Sequence, residues 1–417
     1  MKVSIIGLGY IGLPTAALLS LKNISVVGVD INKKLIKNIN SGKIKNFEPS
    51  LKKIILSSVK KKKFRAVSIP EKSDVFIIST PTPFKNNKPD ISFVKRAVAS
   101  IAKILEKNNL IIIESTSPVG TTEKIVQWLK NVRKDLSFPQ LIKNSKNSKL
   151  KTDIAVAYCP ERVFSGNVIK ELVKTDRIIG GVSNNCSEKA KKFYKLFIHS
   201  QILKTDCRTA EFCKLSENSF RDVNIAFANE LSVICKKLKI NVSELIKLSN
   251  YHPRVNILNP GIGVGGHCIP VDPLFIIDAA RKEAKIIQQA RNTNNLKTKI
   301  VLKEIKKTIS NLNKKSKDLS ISCLGLAFKK DSDDLRESPA LYITKKLSSI
   351  KFANFYVVEP NLKIVPNSLQ KNNVKLVRLK DAIKHSNVII ILVDHHEFKK
   401  ISFKNIRNKQ IIDTRTK

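Results

Sequence analysis

Two blocks of strand–helix alternation flanking a helical stretch predict an α/β protein: two doubly wound domains joined by a helical connector. Three observations carry that expectation. Short apolar runs recur at residues 3–6, 25–30, 75–79, 110–114 and 154–158 with helical segments between them, the βαβ pattern of a parallel sheet. From about Asp206 to Gln289 the periodicity is helical throughout. Alternation then returns, with strands expected at 319–324, 355–359, 388–393 and 410–413. Near-continuous Val/Ile runs of this kind belong to sheets covered by helices on both faces. The outer blocks also echo one another: Ser73-Asp74-Val75-Phe76-Ile77-Ile78-Ser79 has the pattern of Ser386-Asn387-Val388-Ile389-Ile390-Ile391-Leu392. The expected domains are residues 1–200, 206–297 and 317–417, with the Lys/Asn/Ser-rich segment 134–151 as a surface insertion.

Length and composition fit this architecture. The chain has 417 residues, enough for two or three domains, and 42% hydrophobic with 27% charged residues is a globular balance. No apolar run is long enough to span a bilayer, and Met1 leads directly into the first strand without a cleavable signal, so a cytoplasmic protein with no membrane partner is expected. The seven Cys have no metal-ligand spacing and read as free thiols, so no metal is expected. The formal charge of +43 raises the question of a polyanion partner. The lysines are spread along the chain with Asn and Ile, and aromatics make up only 6%. The Arg–aromatic platforms of nucleic-acid binders are missing, so solvated lysine faces and no specific nucleic-acid partner are expected.

The chemistry-bearing motifs follow in chain order. Gly7-Leu8-Gly9-Tyr10-Ile11-Gly12 lies between a strand and a helix, the dinucleotide-binding arrangement of a Rossmann-like domain. Gly7 serves the tight turn, Gly9 the approach of a pyrophosphate, and Gly12 the packing of helix on strand, with the helix N-terminus facing the phosphates. Asp30, at the end of the next strand, suits the ribose hydroxyls and repels a 2′-phosphate, which favours NAD over NADP. The competing reading is an ordinary glycine turn with Asp30 as a helix cap.

Thr80-Pro81-Thr82-Pro83 and Ser115-Thr116-Ser117-Pro118-Val119-Gly120 end the third and fourth apolar strands, where open parallel sheets bind ligands; as isolated motifs they also fit hydroxyl-capped turns. Gly261-Ile262-Gly263-Val264-Gly265-Gly266-His267-Cys268 is the most informative segment. Its glycines leave room for a ligand beside the backbone, and Cys268 at its end is a nucleophile candidate, with Asp272 four residues on. The other buried-type cysteines, 159, 186, 207, 235 and 323, read as structural. His267 is a weaker candidate for a general base.

The expected helix 209–238 places Lys214, Asn218 and Arg221 at i, i+4 and i+7 on one stripe, suited to an oxyanion and an anionic substrate, or to solvent. Phe220, Val223, Phe227 and Ile234 form a second stripe with core spacing. Arg254 and Arg336 lie beside Pro-bounded turns, and Lys329 follows the first strand of the last block; phosphate recognition and exposed ion pairs both fit.

In this order, the glycine fingerprint, residues 115–120, Cys159-Pro160-Glu161-Arg162, Lys214 to Asn218, residues 261–272, Gly325-Leu326-Ala327-Phe328-Lys329 and Asp334-Leu335-Arg336-Glu337-Ser338 resemble the UDP-glucose/GDP-mannose dehydrogenase superfamily over essentially the whole chain. Arg208-Thr209-Ala210-Glu211, Asn218-Ser219-Phe220-Arg221 and His252-Pro253-Arg254-Val255-Asn256 narrow the resemblance to members acting on a 2-acetamido UDP-hexose for surface glycans such as enterobacterial common antigen.

The resemblance implies a four-electron oxidation of a C6 alcohol to a carboxylate, with two NAD molecules as hydride acceptors. Cys268 would carry thiohemiacetal and thioester intermediates. Lys214 and Asn218 would hold the oxyanion, and Asp272 and Thr116 the hydrolytic water, with Glu161 close by. It implies Gly7, Gly9, Tyr10, Ile11, Gly12, Asp30, Thr82 and Thr122 at NAD, with Arg336 approaching from the last domain. It places Arg162, Val163, Lys214, Asn218, Arg221, His252, Arg254, Gly265, Phe328, Lys329 and Arg415 around the UDP-sugar, and implies a homodimer through the helical connector.

Two departures stand out. Ser165 replaces the second glutamate of UDP-glucose enzymes, which favours the 2-acetamido sugar, and the chain stops soon after Arg415. The neighbouring readings are a UDP-N-acetylglucosamine or UDP-glucose 6-dehydrogenase and, outside enzymes, a basic NAD- or polyanion-binding protein.

Overall fold

The computed structural model describes residues 1–44, 49–140, 152–162, 168–370, 373–401 and 408–415. The chain divides into two compact units, Met1–Ser216 and Glu217–Lys417.

The first unit runs β1 (Lys2–Ile6), α1 (Gly12–Leu21), β2 (Ser25–Val29), α2 (Lys33–Asn40), α3 (Pro49–Lys60), β3 (Phe64–Val67), β4 (Val75–Ile78), a two-stranded hairpin β5 (Phe84–Lys85) and β6 (Lys88–Pro89), α4 (Ser92–Ala102), β7 (Leu110–Ile113), α5 (Thr121–Val132), β8 (Ala155–Tyr158), α6 (Val168–Lys174), β9 (Arg177–Gly181), α7 (Asn184–Tyr194) and β10 (Ile202–Asp206). Its sheet has the order β10-β9-β8-β7-β4-β1-β2-β3. The central strands Val-Phe-Ile-Ile and Leu-Ile-Ile-Ile are buried along their whole length, as a sheet covered on both faces requires. β1 lies in parallel register with both neighbours, Val3 opposite Val26 and Val75. The five strands expected from the sequence are parallel, and two further strands extend the sheet at one edge. β9 pairs antiparallel with β8 and parallel with β10, so the last two strands run against the rest.

α8 (Cys207–Leu238) leaves this sheet and contains the boundary between the units. At 1.5 Å per residue its 32 residues make a rod about 48 Å long. The second unit continues with α9 (Val242–Ser249), α10 (Asp272–Ala279), α11 (Lys285–Ser310), β11 (Ser320–Leu324), α12 (Pro339–Ser348), β12 (Asn354–Val358), β13 (Val374–Leu376), α13 (Leu379–His385), β14 (Val388–Ile391) and β15 (Gln410–Asp413). Its sheet is parallel throughout, in the order β13-β12-β11-β14-β15. That is the β3-β2-β1-β4-β7 order of the first unit repeated. β4 and β14, the echoing segments, occupy the same place beside the first strand of their sheets.

One sequence expectation about α8 fails. Phe220, Phe227 and Ile234 are 70%, 51% and 44% exposed, so this apolar stripe is not core. The buried face of α8 instead carries Ala210, Glu211, Leu215, Asn218, Asp222, Ala226 and Asn229. Helical spacing identifies an apolar face without saying what covers it. The five cysteines read as structural are all buried, and Cys213 and Cys268 are half-buried.

Gly12 shows how tightly α1 is set on β1. A Cβ there would lie 1.9 Å from the Gly7 carbonyl oxygen and 3.2 Å from Ile5 Cγ2. Gly12→Ala is expected to destabilise the protein by at least about 3 kcal/mol, read from the urea unfolding midpoint.

Candidate functional site

The glycine turn of the first unit is built from three constraints. Gly7 has φ +101° and lies so close to the Ser79 carbonyl that a Cβ would come within 2.4 Å of it, while Gly12 is closed by Gly7 itself. Gly9 differs: nothing lies within 4 Å of a Cβ there, so the space beside it is open to a ligand. Asp30 fixes the turn, Oδ2 accepting the Leu8 N–H at 3.0 Å and Oδ1 the Asn32 N–H at 2.8 Å. α1 begins at Gly12 without a side-chain cap at Ile11, and Tyr10 is exposed beside it. An open glycine at a helix N-terminus with a half-buried carboxylate on the next strand fits a dinucleotide.

At the carboxyl ends of β4 and β7, the Thr82 hydroxyl donates to the Thr116 carbonyl, which joins two sequence-predicted loops. Thr122 is fully buried, and its N–H and hydroxyl both donate to Glu211 Oε1, at 2.8 and 2.6 Å. Glu211 Oε2 accepts the Gly120 N–H at 2.6 Å. This carboxyl from α8 therefore holds the N-terminal turn of α5, where the helix dipole favours an anion. Burial nevertheless pushes its pKa up to about 7, against the pull of those donors. Its signal in the sequence was only the motif it belongs to.

Glu161 and Lys214 come together. The Lys214 ammonium donates to the Glu161 main-chain carbonyl at 2.6 Å. The Glu161 carboxylate accepts the Arg162 N–H at 2.8 Å and the Arg177 Nη2 at 3.2 Å. Arg177, almost completely buried, lies over the Tyr194 ring at 5.6 Å, and Tyr194 donates to Glu114 Oε1 at 2.8 Å. Sequence reading missed Arg177 and Glu114. Arg177 opens β9 and Glu114 follows β7, and only the sheet order brings them together.

One guanidinium, that of Arg177, faces the two buried carboxyl groups of Glu114 and Glu161. Burial, reinforced by Glu161 and opposed by Arg177, pushes the Glu114 pKa up to about 7. Burial also pushes the neighbouring Cys159 thiol up to about 12, which keeps it inert.

In the second unit, Asn218 Nδ2 donates to Asp272 Oδ2 at 2.6 Å, with both residues buried. The Cys268 carbonyl accepts the N–H groups of Val271 and Asp272 at 3.0 and 2.8 Å, so the half-buried Cys268 sits at the entrance to α10. The preceding loop is closely packed. A Cβ on Gly265 would come 2.6 Å from Phe328 Cβ, and the Gly266 N–H donates to the Arg336 carbonyl at 2.9 Å. Phe328 and the main chain of Arg336 thus shape the cysteine loop, while the Arg336 guanidinium pairs with Asp334 at 2.6 Å. Lys329 Nζ lies 5.9 Å from the Phe328 ring.

The loop after β11 repeats the first unit's turn. Gly325 has φ +93°, and Glu359 Oε2 accepts the Leu326 and Ala327 N–H groups at 2.7 and 3.0 Å. Buried His395 donates from Nε2 to the same oxygen at 3.1 Å, while its Nδ1 accepts the Asp331 N–H at 2.9 Å, which fixes the tautomer. Burial works against ionisation of Glu359, yet these donors hold its carboxyl below the usual range. His252, Arg254 and Arg221 are exposed, with the Arg254 N–H donating to His252 Nδ1 at 3.3 Å. Arg415 pairs with Asp413 and Asp394 at 2.8 and 3.1 Å. Val163 and Ser165 lie outside the described residues.

Comparison with known proteins identifies the family. The NAD binding domain of the UDP-glucose/GDP-mannose dehydrogenase family matches residues 1–198, its central domain 208–296, and its UDP binding domain 322–417. The chain belongs to this family. It is a nucleotide-sugar dehydrogenase, and its cofactor is NAD. A UDP-N-acetyl-D-mannosamine dehydrogenase of Campylobacter jejuni is 53% identical over 95% of this chain and 96% of its own. An NDP-N-acetyl-D-galactosaminuronic acid dehydrogenase of Ralstonia nicotianae is 47% identical over 99% and 95%. Among solved structures, the UDP-D-ManNAc dehydrogenase of Pyrococcus horikoshii superposes with a TM-score of 0.87 at 36% identity, covering 100% of this chain and 95% of that one.

The Glu114 assignment has a measurable consequence. Its folded pKa lies above the ordinary 4.5, so the native state holds a proton that the unfolded chain releases earlier. The stability this contributes is complete below about 4.5 and is lost as pH rises through about 7. Raising pH from 5 to 8 is expected to weaken the wild type by on the order of 2 kcal/mol relative to Glu114→Gln, read by urea unfolding at both pH values.

Proposed function

We propose that the chain oxidises the C6 alcohol of UDP-N-acetyl-D-mannosamine to the uronate in two NAD-dependent steps, with Cys268 as the nucleophile. The observation that carries this reading is the half-buried Cys268, at the end of a glycine-rich loop and followed by the Asp272–Asn218 hydrogen bond. The high identity to relatives named for this activity supports the substrate.

NAD supplies a hydride acceptor, one molecule for each oxidation. The first step takes a hydride from C6 and a proton from its hydroxyl, leaving an aldehyde. The Cys268 thiolate adds to that carbon, and the Lys214 ammonium and Asn218 amide stabilise the oxyanion of the thiohemiacetal. Loss of the second hydride gives a thioester. Water, oriented by Asp272 and Thr116, then cleaves the carbon–sulfur bond to release the carboxylate and regenerate the thiol. Glu161 positions Lys214 through its carbonyl. In the same reading Asp30 takes the ribose hydroxyls, and Phe328, Lys329 and the exposed Arg254 serve the UDP-sugar.

A second reading, a 2-acetamido sugar of galacto configuration, is favoured by the Ralstonia relative. The two sugars differ in configuration only at C2 and C4, so few contacts separate them and a panel of UDP-sugars decides. With UDP-N-acetyl-D-mannosamine, two NADH per uronate are expected, and Cys268→Ala is expected to lower turnover by about 1,000-fold or more. No turnover with any UDP-sugar would leave only the reading as a basic binding protein. Full two-step turnover by Cys268→Ala would remove the nucleophile from the mechanism.

The reading includes a cytoplasmic homodimer formed through the central helices. Among the described residues, no helix is long and apolar enough to cross a membrane. The exposed stripe of Phe220, Phe227 and Ile234 on α8 suits a second copy of the chain, since burial of such a stripe stabilises association. Phe220→Asp with Phe227→Asp is expected to halve the mass measured by light scattering; an unchanged mass would move the interface elsewhere.

A further inference from the structure

A buried polar chain in the second unit has no part in the chemistry described so far. It begins at the α8–α11 ion pair, where Arg291 Nη1 donates to Asp222 Oδ1 at 2.6 Å. Asn294 Nδ2 donates to the same oxygen at 2.8 Å and to the Asp222 carbonyl at 3.0 Å. Asn229 Nδ2 then donates to Asn294 Oδ1 at 2.8 Å, and Asn229 Oδ1 accepts the Gly261 N–H at 2.8 Å. All four side chains are at least nine-tenths buried. Desolvating an ion pair and two amides is costly, so the network adds little stability over an apolar core of the same volume.

What the chain does supply is direction. A guanidinium only donates and a carboxylate only accepts, so the Asn294 amide must turn its nitrogen to Asp222. Its oxygen therefore faces Asn229, which in turn must present its own oxygen to Gly261. The ion pair thus sets the orientation of two successive amides, and the second grips the first residue of the loop that ends in Cys268. One turn beyond Asn294, Thr298 donates its hydroxyl to the Ile262 carbonyl at 2.8 Å. A Cβ on Gly263, at φ +140°, would lie 2.1 Å from that hydroxyl oxygen. The far end of the loop is held by Asp272 on Asn218. Asn218, Asp222 and Asn229 follow at i, i+4 and i+11, one face of one helix, with the two anchor points about 16 Å apart along it.

We propose that Asn229 and Thr298 are positioning residues that tether the glycine-rich loop to α8 and α11, with the Arg291–Asp222–Asn294 chain orienting the Asn229 amide, so that the Cys268 sulfur is held in one place. This rests on the reading of Cys268 as the nucleophile, and its test separates the two claims. Alkylation of Cys268 by iodoacetamide, followed by peptide mass spectrometry, reports its placement without any turnover, with half-buried Cys213 as the internal reference. Asn229→Ala and Thr298→Val are expected to speed Cys268 alkylation by at least about threefold relative to Cys213 and to lower kcat by about 100-fold with KM for NAD little changed. Thr298→Ser, which keeps the hydroxyl, is expected to restore the alkylation rate. If Asn229→Ala does not fold by circular dichroism, the Thr298→Val and Thr298→Ser pair carries the test. An unchanged alkylation rate in a folded Asn229→Ala or Thr298→Val variant overturns the tether, whatever happens to kcat. An active Cys268→Ala overturns the nucleophile and leaves the alkylation result standing.

Discussion

The constraint on which both units depend is one hydrogen bond made twice. After the first strand of each sheet, a glycine with positive φ turns the chain, and the N–H of the following leucine is given to a carboxylate at the tip of the second strand. In one unit this is Leu8 to Asp30, in the other Leu326 to Glu359. A main-chain donor at a buried turn has to be satisfied, and an anion satisfies it more strongly than a neutral acceptor. The bond also fixes where the turn sits relative to the sheet, and hence where the following loop emerges at the carboxyl edge.

The copies then diverge through their surroundings. Asp30 is half-buried beside the open space at Gly9, in keeping with a carboxylate facing a ligand. Glu359 is sealed, its second role taken by His395 and the Ala327 N–H, so it acts only as a brace for the loop carrying Phe328. The same frame gives an edge with room for a dinucleotide in one case and an edge that supports the cysteine loop through Phe328 and the Arg336 carbonyl in the other.

Much of this was legible in the residues. The strands 75–78, 110–113 and 388–391 are uninterrupted apolar runs, and the glycine fingerprint stood where a strand meets a helix. Phe64–Val67, Ile202–Asp206 and Val374–Leu376 carry no such run: they are short edge strands that mix charge with apolar residues. Arg177–Gly181 is an inner, buried strand, but its sequence Arg-Ile-Ile-Gly-Gly offers only two consecutive large apolar residues. The resemblance gives Asn218 and Asp272 separate roles, and their hydrogen bond, between residues 54 positions apart, is visible only in the fold. In the Arg177–Glu161–Glu114 cluster only Glu161 had a signal, the motif of residues 159–162; Arg177 and Glu114 had none, because they come from different strand ends. The α8 aromatic stripe was visible but misassigned, since periodicity cannot distinguish a core from a surface.

The mooring of Lys214 has a consequence of its own. A carboxylate partner would cancel the ammonium charge, whereas the Glu161 carbonyl only solvates it with a dipole. Leaving this berth therefore costs one neutral acceptor rather than an ion pair. In the proposed reaction, a cation moored to a neutral acceptor can turn towards a newly formed negative oxygen and swing back once that charge has gone.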